Sequence, residues 1–387
     1  MTEPAPTVRP SGNSTALVLT GGGARAAYQV GVLLAVSKLA GKQRRRNPFP
    51  IICGTSAGAI NAVGLACQAD NFGRAVTTLA SFWRNMKAGD IYRTDPIGVG
   101  AAGARWLSAL AFGWLLGRPP RSLLDNSPLH SLLHRNMDLA GIDRAIRRGA
   151  LHAISISASG YDSGQHINFF QAATDAQAWH RSQRIGVKTE LSIGHLLASS
   201  AIPFIFPATR INREYFGDGS MRQIAPLSPA IHLGAERLLI VGAPRRDEHR
   251  ERLHTDDYPS LAQIAGHALS SIFLDGLAVD IERVERINRT LSAIPEDLRQ
   301  ASGIKLRPID TLVISPSERI DRIAAEHAHT LPWPIKLLLG GIGAMNRRGG
   351  ALTSYLLFEK PFTRKLIDLG YADTLARAGE VGDFLEL

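Results

Sequence analysis

Within its first 69 residues the chain runs twice from a short apolar segment, through a glycine turn, into a segment of helical pattern. Residues 16–20 end in Gly21-Gly22-Gly23, and residues 24–40 follow with Tyr28, Val32, Ala35, Val36 and Leu39 at helical spacing. After a basic turn at 41–48, Ile51-Ile52-Cys53 closes on Gly54, and residues 57–69 read as a second helix. Strands joined by crossover helices lie parallel. The expected fold class is therefore α/β: a three-layer α/β/α arrangement around a mostly parallel central sheet. Further strand signals at 151–159, 165–171, 214–216, 238–241 and 311–314 extend that sheet. The expected organisation is a loose tail at 1–14, one catalytic α/β domain at 15–316, and a helical C-terminal extension at 317–387 packed on it.

Composition narrows the classes. A chain of 387 residues, 45% hydrophobic, buries a core without disulfide staples. Its two cysteines, Cys53 and Cys67, exclude a disulfide scaffold and a zinc site built on paired cysteines. No apolar run reaches the roughly 18 residues of a transmembrane helix. The polar start lacks the apolar core of a secretory signal and the glycine that myristoylation needs after Met1. A cytoplasmic protein is expected. Net charge is +10, and residues 1–69 hold seven Lys and Arg against the single acid Glu3. Such an excess attracts phosphate, in nucleic acid or in anionic lipid. Aromatics are not interleaved with the basic clusters as a single-strand binder requires, so no nucleic-acid partner is expected.

Three glycine motifs carry the chemistry. Gly54-Thr55-Ser56-Ala57-Gly58 matches G-x-S-x-G between a strand and a helix, the setting of a nucleophile elbow. A sharp turn there exposes the Ser56 hydroxyl, Gly54 and Gly58 remove side chains that would collide, and the helix aims its N-terminal amides at the reacting centre. Gly21-Gly22-Gly23-Ala24-Arg25 also joins strand to helix. Its backbone amides are free to face an anion, such as the oxyanion of acyl transfer, with a cation beside them at Arg25. Gly217-Asp218-Gly219 puts a carboxylate on a tight turn at a strand end. Twelve histidines are present, six of them after Asp218, so a Ser, acid, His order is available. An α/β-hydrolase, however, places several strands before its elbow and takes an oxyanion amide from the loop after its third strand. Here one strand–helix unit precedes Ser56, and a Ser–Asp dyad fits better.

These motifs, in this order, resemble the patatin-like phospholipases: a G-G-G-x-[RK] loop, then G-x-S-x-G, then D-G-[GA]. Here they read Gly21 to Arg25, Gly54 to Gly58, and Asp218-Gly219-Ser220. The stretch Ser199-Ser200-Ala201-Ile202-Pro203 to Phe206-Pro207 and the segment Leu124-Asp125-Asn126-Ser127-Pro128-Leu129 also look like family segments. The resemblance covers residues 15–245. Two positions depart from the pattern: Ala26 where glycine is common, and Ser220 where the third motif has Gly or Ala. The resemblance implies a serine acyl hydrolase on phospholipid or related lipid esters, with Ser56 as nucleophile and Asp218 as general base. It also implies an oxyanion hole at Gly21, Gly22, Gly23, Ala24 and Arg25, and neither cofactor nor metal.

Two rival readings follow from the same residues. A non-catalytic lipid-binding protein would suit the basic excess but has no use for an elbow serine. A dinucleotide-binding oxidoreductase would read Gly21-x-Gly23-x-x-Ala26 as its fingerprint. That fingerprint wants an acid about 20 residues on, yet none occurs between Glu3 and Asp70, and Arg44, Arg45 and Arg46 precede the second strand. Residues 97–117 and 331–344 are rich in Trp and Leu with cations inside or beside them, among them Arg105, Arg118, Arg121, Lys336, Arg347 and Arg348. They suit either the interface of an anionic membrane, as peripheral contact, or the core and an acyl pocket. The oligomeric state is not legible.

Overall fold

The structure, a computed structural model, describes residues 14–41, 46–116, 122–242, 258–304, 306–345 and 349–387. The expected tail falls outside the described residues except Ser14, as do Arg44, Arg45, Arg118, Arg121, Arg347 and Arg348.

Ten strands form one sheet: β1 (Thr15–Leu19), β2 (Ile51–Thr55), β3 (Ala153–Gly160), β4 (His166–Ala172), β5 (Trp179–Arg181), β6 (Arg184–Lys188), β7 (Thr209–Ile211), β8 (Glu214–Asp218), β9 (Arg237–Val241) and β10 (Asp310–Ile314). The order is β10-β9-β1-β2-β3-β4-β6-β5, with β8 on β3 and β7 on β8. From β10 through β3 every neighbour is parallel. Antiparallel pairing begins where β4 folds back on β3. The near-continuous apolar runs of β1, β2 and β9 are those of parallel strands covered on both faces.

Side chains alternate between two cores. Leu17, Leu19, Ile52, Ile154 and Leu239 face one layer. Val18, Ile51, Cys53, Leu238 and Ile240 face the other. The first layer holds α1 (Ala27–Leu39), α2 (Ala57–Ala66) and α3 (Phe72–Asn85). The second is packed by the short helix Ser228–His232 and by Gly276–Ser292. The three-layer α/β/α fold is therefore the observed one.

The continuous helical stretch Leu261–Ser292 is long and apolar enough, by length and composition, to cross a membrane. Polar residues interrupt this stretch, and its apolar residues recur every three or four positions. Leu269, Phe273, Leu277, Ile281 and Val284 lie on one buried face against the domain. A π-turn at Ser271–Asp275 marks the point where this face passes from one core to the other.

The helices after β10 contribute to the first core rather than to one of their own, through Phe362, Leu366 and Ile367. The helix Lys360–Leu375 lies on α1, which is consequently buried nearly all round. Their backbones touch through two glycines: a side chain at Gly31 would strike the Ile367 carbonyl, and one at Gly370 would strike the Tyr28 carbonyl. Gly370→Ala should therefore destabilise the protein by roughly 1–3 kcal/mol, the usual cost of overpacking. Gly379→Ala, at a helix position with open space around it, should not. Thermal unfolding followed by circular dichroism compares the two, and equal melting points would remove the claim of close backbone contact.

Candidate active site

The site is built where two strands share one edge of β3. β2 runs along β3 from Ile51↔Ala153 to Thr55↔Ser157 and then turns away at Ser56. β8 arrives from the opposite direction and pairs with the next residues, Ala158↔Asp218 and Ser159↔Gly217. The end of one strand and the end of the other thus meet, and Asp218 is carried to Ser56 by register alone.

Ser56 has φ 54° and ψ −129°, a conformation L residues rarely adopt. Three contacts hold it. Its amide donates to Ser199 Oγ at 2.9 Å. The Ala59 amide donates to its carbonyl at 2.9 Å. The turn is wedged against β1, because a side chain at Gly58 would strike the Leu19 and Thr20 carbonyls. Ser56 is 1% exposed and opens into an apolar pocket shared with Gly23, Ala57, Ile60, Leu129 and Phe206. The two further segments noted in the sequence come together here: the amides of Leu123 and Leu124 donate to the carbonyls of Phe204 and Ile205, each at 2.8 Å.

The glycine run forms the start of a 3₁₀ turn, Gly23–Ala26, beside the same pocket. Gly23 has φ 55°, and a side chain there would strike the Tyr355 carbonyl. The amides at the N-terminal end of such a turn lack partners within it, as an anion site requires. Arg25 behaves differently from the expectation. Its amide donates to the Gly22 carbonyl at 3.1 Å. Its guanidinium lies 4.1 Å over the Tyr355 ring and donates to Ser354 Oγ at 2.7 Å. Arg25 therefore anchors the turn, and the donors that remain for an oxyanion come before it. Phe273, from the π-turn, stacks on Tyr355 with centroids 5.1 Å apart and covers Gly21. A buried amide chain steadies the turn from below: Gln29 donates to the Thr20 carbonyl, Asn61 to Gln29 and to the Ala26 carbonyl, and Trp83 to Asn61.

Asp218 is 1% exposed. Burial disfavours its charged form and pushes its pKa up to about 6, against weaker lowering by the Ser56 hydroxyl and by the Ser220 amide and hydroxyl. Oδ1 accepts from the Ser220 amide at 2.9 Å, while Oδ2 has no well-aligned bond. A side chain at Gly219 would strike the Ser157 carbonyl, which fixes the carboxylate's turn against β3. Among the described residues no histidine lines the serine pocket. His232 instead stacks on Trp179 at 5.0 Å, and His195 caps its own helix by bonding Ser192. The described residues contain no cluster of metal-ligating side chains.

Sequence reasoning singled out Ser56, Asp218, Gly54, Gly58, Gly219 and the Gly21 to Arg25 turn, and the structure places them close to one another. It did not find the role of Ser199, nor Tyr355, Ser354 and Phe273. Ser199 lay inside a noted segment. The other three have no local signal, because their partners in the glycine turn are more than two hundred residues away.

A patatin-like phospholipase family model matches residues 17–231. No curated protein matches the chain. Among solved structures, VipD from Legionella pneumophila is similar with a TM-score of 0.33 at 11% identity, over 92% of this chain and 67% of that one. The family match spans more than half of the chain and contains the elbow, the glycine turn and the aspartate loop, so the chain belongs to the patatin-like phospholipase family.

Proposed function

We propose that this chain is a serine acyl hydrolase on lipid esters, working through a Ser56–Asp218 dyad. The observation that carries the reading is the meeting of a positive-φ serine and a buried carboxylate beside a glycine turn, in a pocket walled by apolar side chains. Asp218 accepts the Ser56 proton as Oγ attacks the ester carbonyl. The amides of Gly22 and Gly23, with that of Ala24, face the oxyanion that develops. The proton passes to the departing alcohol, and Asp218 then takes one from the water that hydrolyses the acyl-enzyme. Family membership supports a phospholipid-type substrate, and the apolar walls of the pocket, which encloses about 20 Å³ here, match an acyl chain in character once they part.

Contact with an anionic membrane is part of the proposal. On the helix Trp333–Gly340, Trp333 and Leu337 stand one turn apart and are 62% and 72% exposed. That helix packs on Pro96–Leu116, where Ile97 is also exposed. The side chains of Leu107, Leu110, Phe112, Trp114, Leu115 and Leu116 lie outside what the structure describes. Exposed Trp and Leu on a protein of net charge +10 fit an anionic lipid interface.

Three outcomes are expected. Ser56→Ala and Asp218→Asn should each lower p-nitrophenyl butyrate hydrolysis by on the order of 10³ or more, with the double variant no worse than the lower single one. Fluorophosphonate labelling should map to Ser56. Retention of turnover by Asp218→Asn would transfer the base to another group. The pH profile should show an acid limb with an apparent pKa of about 6, because Asp218 accepts a proton only when ionised. Ser220→Ala removes a hydroxyl that favours the ionised form, so its limb should move to higher pH. A wild-type limb at the ordinary carboxylate value, or a downward shift in the variant, contradicts the assignment. Finally, sedimentation with phosphatidylglycerol vesicles should exceed that with phosphatidylcholine, weaken with salt, and drop in the Trp333→Ser, Leu337→Ser double variant. Protein left in the supernatant with both vesicles at low salt would end the membrane proposal.

A further inference from the structure

Two hollows lie end to end between α2, α3 and the helix Ser127–Asn136. The inner one is the apolar pocket at Ser56. The outer one is a surface cleft of about 380 Å³, with Leu79, Leu132 and Met137 among its apolar walls and Gln68, Asn85 and Asn136 among its polar ones. The hollows follow each other by one helical turn along two helices. On α2, Ile60 lines the inner and Gly64 the outer; on Ser127–Asn136, Leu129 lines the inner and Leu132 the outer. Phe82 and Met86 line both, and so form the partition between them.

The partition is built to move. Met86 is 4% exposed but sits just past the last turn of α3, with extended backbone at φ −61° and ψ 143°. Its thioether side chain has three rotatable bonds and carries no hydrogen bond to break. The cleft beyond is kept open by a missing side chain: a Cβ at Gly64 would lie 3.2 Å from Leu79 Cδ1 and 3.8 Å from Met137 Cε.

Resting on the reading of Ser56 as an acyl-transfer nucleophile, we propose that Met86 and Phe82 are a movable partition that sets acyl-chain length. The inner pocket encloses only about 20 Å³ here, so its apolar walls must part for any acyl chain; a short chain needs only that local expansion and ends against Met86. A long one displaces the thioether and threads between α2 and α3 into the outer cleft, where Leu79, Leu132 and Met137 receive it. The polar groups around the cleft stay hydrated and need not be buried by a chain that occupies its apolar wall.

The test compares kcat/KM of the full chain for p-nitrophenyl butyrate, octanoate and palmitate. Met86→Ala should raise the palmitate-to-butyrate ratio by about tenfold, the scale at which small changes in apolar pocket volume act on specificity. Leu132→Trp, at a half-exposed position on the far side of the partition, should lower the same ratio by a similar factor, because it fills the outer cleft. If Met86→Ala fails to fold, Leu132→Trp decides alone. Ratios within about twofold of wild type in the folded variants, with butyrate still hydrolysed, would overturn the partition and leave the dyad standing. A wild-type protein that hydrolyses none of the esters and leaves Ser56 unlabelled would overturn both.

Discussion

One edge of β3 is asked to pair with two strands, and the rest of the site depends on that division. β2 occupies the edge as far as Ser157 and β8 occupies it from Ala158. Neither strand can be extended by a residue without displacing the other. The serine turn must therefore be abrupt, which is why Ser56 takes an unfavourable backbone conformation and why a small residue is needed at Gly58. The carboxylate must likewise be buried, because β8 ends inside the domain rather than at its surface. Backbone strain of order 1–3 kcal/mol and a desolvated acid are consequences of a single register.

The legible part of this architecture was local. Glycine turns flanked by apolar runs announced β1, α1, β2 and α2, and the same turns announced Ser56 and the candidate oxyanion loop, while a third, Gly217 to Gly219, marked Asp218. The short strands β5, β6 and β7 escaped because runs of three to five residues with charged members carry little periodic signal. The partners of the Arg25 side chain were hidden for a related reason. A cation beside a glycine turn suggests an anion partner, and nothing within reach of the turn in sequence reveals that Ser354, 329 residues away, accepts its hydrogen bond. Long-range pairing of this kind is a property of the folded core, and no window of sequence contains it.

The family match ends at residue 231, yet the glycine turn is packed by residues beyond it. Phe273 covers Gly21, Tyr355 meets Gly23, and Ser354 and Tyr355 hold Arg25. Tyr92 adds a strut by donating to the Leu356 carbonyl at 2.8 Å. Ser56 and Asp218 come from the matched region, whereas the shape of the glycine turn beside them is set in part by the helices that follow β9. The added helices are thus continuous with the site in a physical sense, through a cation over a ring and a stacked aromatic pair.

That dependence gives the chain a built-in order of maturation. Synthesis runs from the N-terminus, so Arg25 leaves the ribosome 329 residues before Ser354. α1 is in the same position, since its outer face waits for the helix Lys360–Leu375. A nascent chain can complete the elbow and the aspartate loop while its glycine turn still lacks the residues that fix it. The glycine turn therefore gains its support only once the segment carrying Ser354 and Tyr355 has been made, and a product terminated before that segment carries Ser56 and Asp218 beside an unsupported turn.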